Sequence, residues 1–276
     1  MSVKDKIIRP IYYFVRRLVR LNIIKTLYFN FKMMPIGQAI RLPIYLYGKI
    51  RFHGLHGKVT ISAPIERGMI KIGYRWHDLW PTSYLPTQLR IDGKLVFDGW
   101  AIISGGAAIT VVGAILKLGN LCVIGGGTVI KALKNISIGD STRITGDCTI
   151  MDCDMHFVKN IETGVIKNNM APIAIGSNCW INSRSVISKG AVIPDFTVAA
   201  RSSFINKDYS QFGKNLFLVG QPAKPLDIKV QRIMGTTEQH RIAEEFKKNN
   251  CSEIVVEPGL FVEGDDNMKS FKEYGL

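Results

Sequence analysis

The sequence predicts an all-β solenoid, a parallel β-helix with a helical arm before it and a helix after it. The first observation is a beat of six residues from Ile175 to Ile205, read as IGSNCW, INSRSV, ISKGAV, IPDFTV and AARSSF. The second is what occupies the beat. An aliphatic residue, once Ala199, opens each unit, and a small one (Cys179, Ser185, Ala191, Thr197, Ser203) stands four places later. A helix repeats its apolar face every 3.6 residues and a strand every two. A period of six is instead the mark of short strands that form the sides of a coil. The aliphatic side chain points into a narrow core and the small one fits the corner. Three hexapeptides complete one triangular coil, and the regular segments amount to about six or seven coils.

The third observation is how the beat extends through the 276 residues, 46% of them hydrophobic. Hexapeptide character is faint from Ile61 to Ile72 and is interrupted by RWHDLWPTSYLP (75–86), which reads as an excursion from the coil. The beat resumes at Ile91, slips frame near Leu118, and slips again before Ile138. It breaks at His156, where FVKNIETGVIKNNMAP (157–172) reads as a loop, and returns at Ile175. Residues 226–248 read as a terminal helix, a cap for the open end of the solenoid. The chain therefore divides into an arm (1–60), a β-helix (61–225), and a C-terminal helix and tail (226–276).

Charge is concentrated in the arm. Residues 1–60 hold twelve Lys and Arg against one acid, Asp5, in a chain of net charge +14. Arg9, Arg16, Arg17 and Arg20 alternate with apolar residues at helical spacing. No uncharged run reaches the length of a transmembrane helix, and the segment lacks the apolar core of a signal peptide. A basic amphipathic helix of this kind either lies on an anionic membrane surface through residues 1–30 or packs on the solenoid or a neighbouring subunit. No recognition module accompanies the charge, which argues against nucleic acid. The five cysteines form no CxxC pair, and Cys122, Cys148 and Cys179 fall on corner positions, as small hydrophobes do. Their usage suits a reducing cytosol, so the expected location is cytoplasmic, at most peripheral on the inner face of the membrane.

The chemistry is expected where the beat fails. In IMDCDMH (150–156), Asp152, Asp154 and His156 alternate and would share one face of an extended strand. Asp154 stands where a small corner residue belongs, and His156 where a core aliphatic belongs. A histidine can take a proton from a hydroxyl or amine, and a neighbouring carboxylate can orient it. The competing reading has the aspartates capping a turn and His156 ending a coil. Trp76 and Trp80, with Tyr84, either stack on a sugar or clamp the excursion onto the coil. His53 and His56 (HGLHG) read as surface residues, and no metal site is expected.

The order Asp-x-Asp-x-His, loop, IAIGSNCWI, hexapeptides and VGQPAK resembles the hexapeptide acyltransferases, most closely their maltose, galactoside and polysaccharide O-acetyltransferase branch. The resemblance covers residues 100–226 well and the last fifty not at all. It implies a left-handed β-helix assembled as a homotrimer, with acetyl-CoA in a groove between subunits. It puts the catalytic histidine at His156 and a tryptophan beside the acceptor and the pantetheine arm at Trp180; the run itself adds Asp154 as the expected catalytic partner of His156 and Asp152 as an expected substrate contact. The closing motif falls on Gly220, Pro222, Ala223 and Lys224. Lys224 and Lys207 would then lie near the nucleotide phosphates, and Ser183, Ala200 and Ser202 along the pantetheine. Two positions depart from the family pattern, Asn182 and Arg201. Arg201 either obstructs the pantetheine or adds a cation for phosphate. The reaction implied is acetyl transfer from acetyl-CoA to a carbohydrate hydroxyl of a surface polysaccharide, lipopolysaccharide or glycolipid precursor. N-acylation of an amino sugar, transfer from acyl carrier protein, and a non-catalytic assembly module are the alternatives. A β-helix carbonic anhydrase needs three histidines at a zinc, and only His156 lies within the regular coils.

Overall fold

The computed structural model describes residues 20–75, 81–233 and 235–255. Arg9, Arg16, Arg17, Trp76 and Trp80 lie outside the described residues, as does the tail from 256 onward.

The chain winds into a parallel β-helix of six complete coils and the start of a seventh. The first coil carries β1 (Ile44–Leu46), β2 (Ile50–Gly54) and β3 (Lys58–Ile61), and the second β4 (Ile70–Tyr74) and β5 (Thr87–Phe97). The third carries β6 (Ala101–Ser104) and β7 (Ala108–Leu118), and the fourth β8 (Cys122–Ile124), β9 (Val129–Ala132) and β10 (Asn135–Ile138). The fifth carries β11 (Arg143–Ile144), β12 (Thr149–Met151) and β13 (Ile173–Ile175), and the sixth β14 (Trp180–Ile181), β15 (Val186–Ser188) and β16 (Val192–Ile193). The seventh has β17 (Val198–Ala199) and β18 (Phe204–Ile205), after which β19 (Leu216–Gly220) and β20 (Ala223–Lys229) close the stack as an antiparallel pair.

Each strand pairs in parallel with its equivalent one coil away, which makes three faces. The first face runs β1-β4-β6-β8-β11-β14-β17-β19. The second is carried by β9, β12, β15 and β18, and the third by β10, β13 and β16. In coils two and three a single long strand serves both of these faces. β7 pairs with β9 through Ala108–Val111 and with β10 through Ile115–Leu118. The bend falls at Gly113, whose φ of +61 suits a residue without a Cβ. Gly93 lies at the matching bend of β5, where the Ala114 backbone leaves no room for a Cβ.

The six-residue beat builds the core as expected. Ile124, Ile144, Ile181, Ala199 and Leu218 stack in register on the first face, each no more than 1% exposed. Ile130, Ile150, Ile187 and Ile205 do the same on the second. Burying one such side chain contributes roughly 1.5–3 kcal/mol. The small residues Cys179, Ser185, Ala191, Thr197 and Ser203 are all buried at corners. The residue before each of them turns the chain with positive φ: Asn178, Arg184, Gly190, Phe196 and Ser202. Burial pushes the Cys122 and Cys179 thiols up to about 12 and Cys148 up to about 11, so these cysteines are inert fillers.

Both ends differ from the sequence reading. Strands begin at Ile44, so residues 44–60 form coil, not arm. The helix α1 (Ile23–Met33) covers the exposed edge of β1. Asn30 donates to the Ile44 carbonyl and accepts from its N–H, and Thr26 Oγ1 accepts from Leu46 N–H. These bonds satisfy a strand edge that would otherwise recruit another chain. At the other end, residues 223–229 are strand, and the helix α2 (Thr236–Asn249) starts ten residues later than expected. The segment leading into it does not cap the solenoid. It runs along the first face, enclosing a cleft with residues from Ser104 of the third coil to Phe217 of β19.

Candidate functional site

The break in the beat opens at the edge between the second and third faces of the fifth coil. Strand β12 ends at Met151, so the alternation expected to carry Asp152, Asp154 and His156 on one face stops before it reaches them. Asp152 is fully buried, its two oxygens accepting the Leu133 and Lys134 N–H groups at 2.8 Å each. Expected to bind substrate, it instead ties the edge of the fifth coil to that of the fourth, as in the turn-capping reading.

Met155 then takes a left-handed conformation, φ +64, which swings the next residue outward. His156 is exposed, and among the described residues its imidazole makes no hydrogen bond. Its backbone N–H donates to the Asp154 carbonyl at 2.7 Å. The Asp154 carboxylate meets Lys189 Nζ at 2.7 Å rather than the imidazole. The expected carboxylate–imidazole pair is therefore not formed within one chain, because the turn at Met155 separates the two side chains.

The loop expected at 157–172 is an ordered hairpin projecting from that edge. Lys159 bridges Ile166 in antiparallel fashion, and Asn160 N–H donates to Val165 carbonyl with the turn closed through Thr163 and Gly164. Lys189 Nζ donates to the Asn168 carbonyl at 2.7 Å and fixes the return strand. Phe157, Val158 and Ile161 are 67%, 76% and 94% exposed, an apolar surface directly after His156.

The expected cofactor residues gather elsewhere, along the edge between the first and second faces. Ser202 N–H donates to the Ser183 carbonyl at 3.0 Å, Ala200 N–H to Leu218 at 2.8 Å, and Gln221 Nε2 to Ser202 at 2.6 Å. Ser183, Ala200–Ser202 and Gly220–Ala223 thus sit on successive turns of one edge, with Arg201 and Lys224 exposed beside it. Ala223 is fully buried, and its carbonyl accepts from the Tyr209 hydroxyl at 2.9 Å. Lys207 lies over the Tyr209 ring, 5.6 Å from its centroid. Asn182 Nδ2 donates to the Ala199 carbonyl at 2.9 Å, a rung between the last two coils.

Trp180 projects outward from the first face, in register with Arg143 before it and Val198 after it. It lines the cleft of about 740 Å³ formed with the C-terminal segment. Sequence reading missed that cleft, because residues 230–235 carry no repeat and appear as the start of a helix.

A triangular coil puts the edge between its second and third faces opposite its first face. His156 and Trp180 are therefore on opposite sides of one prism. The expected cofactor edge is the full width of the second face away from His156.

No protein-family model matches the chain. Among solved structures, it is similar to the polysialic-acid-specific acetyltransferase NeuO at 16% identity, covering 78% of this chain and 91% of that one, with a TM-score of 0.42. It is similar to the polysialic acid O-acetyltransferase OatWY at 20% identity, covering 71% and 99%, with a TM-score of 0.41. A third is AntD, an N-acyltransferase from Bacillus cereus in complex with dTDP and 3-hydroxybutyryl-CoA, at 12% identity, covering 75% and 88%, with a TM-score of 0.37.

Proposed function

We propose that the chain is an acyl-CoA-dependent acyltransferase that acetylates a carbohydrate hydroxyl, with His156 as general base. The observation that carries this reading is the placement of His156. The residue interrupts a core position, yet it is turned out to solvent at an ordered edge, where its imidazole makes no hydrogen bond among the described residues. In the reaction the imidazole takes the hydroxyl proton as the oxygen attacks the thioester carbonyl. The tetrahedral intermediate collapses by breaking the carbon–sulfur bond, and the departing thiolate takes the proton back from the imidazolium. The acceptor belongs to a surface polysaccharide, lipopolysaccharide or glycolipid precursor. The donor is acetyl-CoA, lying along the edge that carries Ser183, Ser202 and Gly220.

The site is completed by a second copy. Because His156 and Trp180 face opposite ways in one prism, only an interface can join them. That interface pairs two different surfaces, so it is heterologous, the kind that forms a ring when its rotation closes. We place three copies in the ring. Release of free CoA thiol from acetyl-CoA, measured across a panel of sugar acceptors, tests the activity. Mixing the separately inactive His156→Ala and Trp180→Ala chains tests the assembly. Reassembled together, they should recover about a quarter of parental activity, the statistical share of interfaces with both residues intact. No recovery after verified subunit exchange would place each site within one chain.

The arm is assigned to an anionic membrane surface. Helix α1 buries Phe29 and Met33 against the solenoid but leaves Ile24 80%, Tyr28 52% and Phe31 48% exposed, next to a basic N-terminal segment. An apolar face beside cations is what an interfacial helix requires. Among the described residues, no helix is long and apolar enough to cross a membrane. Co-sedimentation with phosphatidylserine vesicles should be lost on Ile24→Glu with Phe31→Glu; undiminished binding by that variant removes α1 from the contact.

A further inference from the structure

The cleft on the first face combines apolar walls with two half-buried cations. Its floor is the outward column of strands β8, β11, β14, β17 and β19, where Val123, Arg143, Trp180, Val198 and Phe217 follow one another in register. Its roof is the segment from Val230 to Ile233 and the first turn of α2. Arg143 enters from the floor, with Nη1 donating to the Leu121 carbonyl at 2.7 Å. Arg232 enters from the roof, and its buried Nη1 has no hydrogen-bond partner among the described residues.

Placing two guanidinium groups in such a space is unfavourable on two counts. Partial burial strips away some of their water, and like charges repel. Burial lowers the Arg143 pKa to about 9, with the Arg232 charge adding to the effect, and it lowers Arg232 to about 10. An anion beside Arg232 would satisfy its Nη1 donor and offset the repulsion from Arg143, since guanidinium groups bind carboxylate and phosphate oxygens through paired N–H bonds. The rest of the surface asks for something different. Val198, Phe217, Val230 and the Trp180 ring offer apolar contact with few polar partners. At about 740 Å³ the space matches sites that hold one small molecule.

We propose that this cleft binds a small amphipathic anion, its carboxylate or phosphate head between Arg143 and Arg232 and its apolar body against Val198, Phe217 and Trp180. The inference involves no covalent step and turns on Arg143 and Arg232; it shares Trp180 with the acyl-transfer reading, but a titration without acyl donor or acceptor lets the two fail separately. It also gives the C-terminal segment a role. By carrying Arg232 back along the first face, that segment completes a site which the solenoid alone leaves open.

Calorimetric titration of the full chain with octanoate, octyl phosphate and octanol is the test. At least one of the two anions should bind, and octanol should bind at least tenfold more weakly. The tighter anion identifies the head group. Arg232→Ala should weaken anion binding about 10–100-fold, the worth of hydrogen bonds to a charged group. Arg232→Lys, which keeps a charge but not the fork, should fall between the two. Arg232 lies outside the coil stack, so an unchanged far-ultraviolet spectrum will show that these variants are folded. Octanol binding as tightly as the anions would overturn the proposal. So would an Arg232→Ala chain that binds like the parent, or no binding of either anion at millimolar concentration.

Discussion

The His156→Ala variant is expected to transfer acyl groups about 10²–10⁴-fold more slowly than the parent, the usual worth of a positioned general base. Its stability should be unchanged. The imidazole is exposed and makes no hydrogen bond among the described residues, so removing it opens no cavity and leaves no buried group unsatisfied. The two readouts separate catalysis from folding. Initial rates of CoA thiol release should collapse while the denaturation midpoint stays fixed. Substrate affinity should also be nearly unchanged, because a proton acceptor acts mainly in the transition state. A folded His156→Ala assembly with near-parental rates would remove the histidine from the mechanism. It would leave the assembly-module reading as the stronger one.

The coil stack was legible because its rule is strict. Each core column takes one aliphatic residue per coil, and a single departure such as His156 is visible against that regularity. Ile181, Ile187 and Ile193 fall where the beat puts them, each no more than 2% exposed. Other features were hidden for physical reasons. The end of the long strand β7 looks like a slip of frame near Leu118, because a strand that bends at glycine needs no corner residue and so drops out of the six-residue count. The start of the solenoid at Ile44 was masked by basic residues that the first coil carries on its outer surface, such as Arg51 and Lys58. The left-handed corners at Arg184, Phe196 and Ser202 were hidden, because only glycine or asparagine, as at Gly190 and Asn178, announces such a turn.

The functional segment shows the same division. That something happens at residues 152–156 could be read from the broken beat. Which side chain does it could not, since period-two alternation holds only while the chain stays extended, and β12 ends at Met151. From there the hydrogen bonds of the edge decide orientation, and they turn Asp152 inward and His156 outward. The separation of His156 from Trp180 needs the coil geometry as well. In sequence they are twenty-four residues apart, but the hairpin and one further corner carry the chain from the second-to-third edge to the first face.

Asp152 supplies the sharpest contrast with His156. Asp152→Ala is expected to cost about 3 kcal/mol of stability, because it strands the part-buried N–H groups of Leu133 and Lys134, each bonded to a carboxylate oxygen at 2.8 Å, and leaves a void at a fully buried position. Asparagine is not a conservative replacement here. Its carbonyl can accept from one N–H, but its amide nitrogen would face the other, donor against donor. Asp152→Asn should therefore also be destabilised, by less than the alanine variant. In a solenoid each coil is stable largely through its neighbours, so the damage should centre on the contact between the fourth and fifth coils. Hydrogen exchange should quicken first at Leu133, Lys134 and the base of the hairpin. A substrate-binding aspartate would give the opposite pattern, lost activity with the midpoint unmoved. A denaturation midpoint within 1 kcal/mol of the parent for Asp152→Ala would show that the edge is held by other contacts.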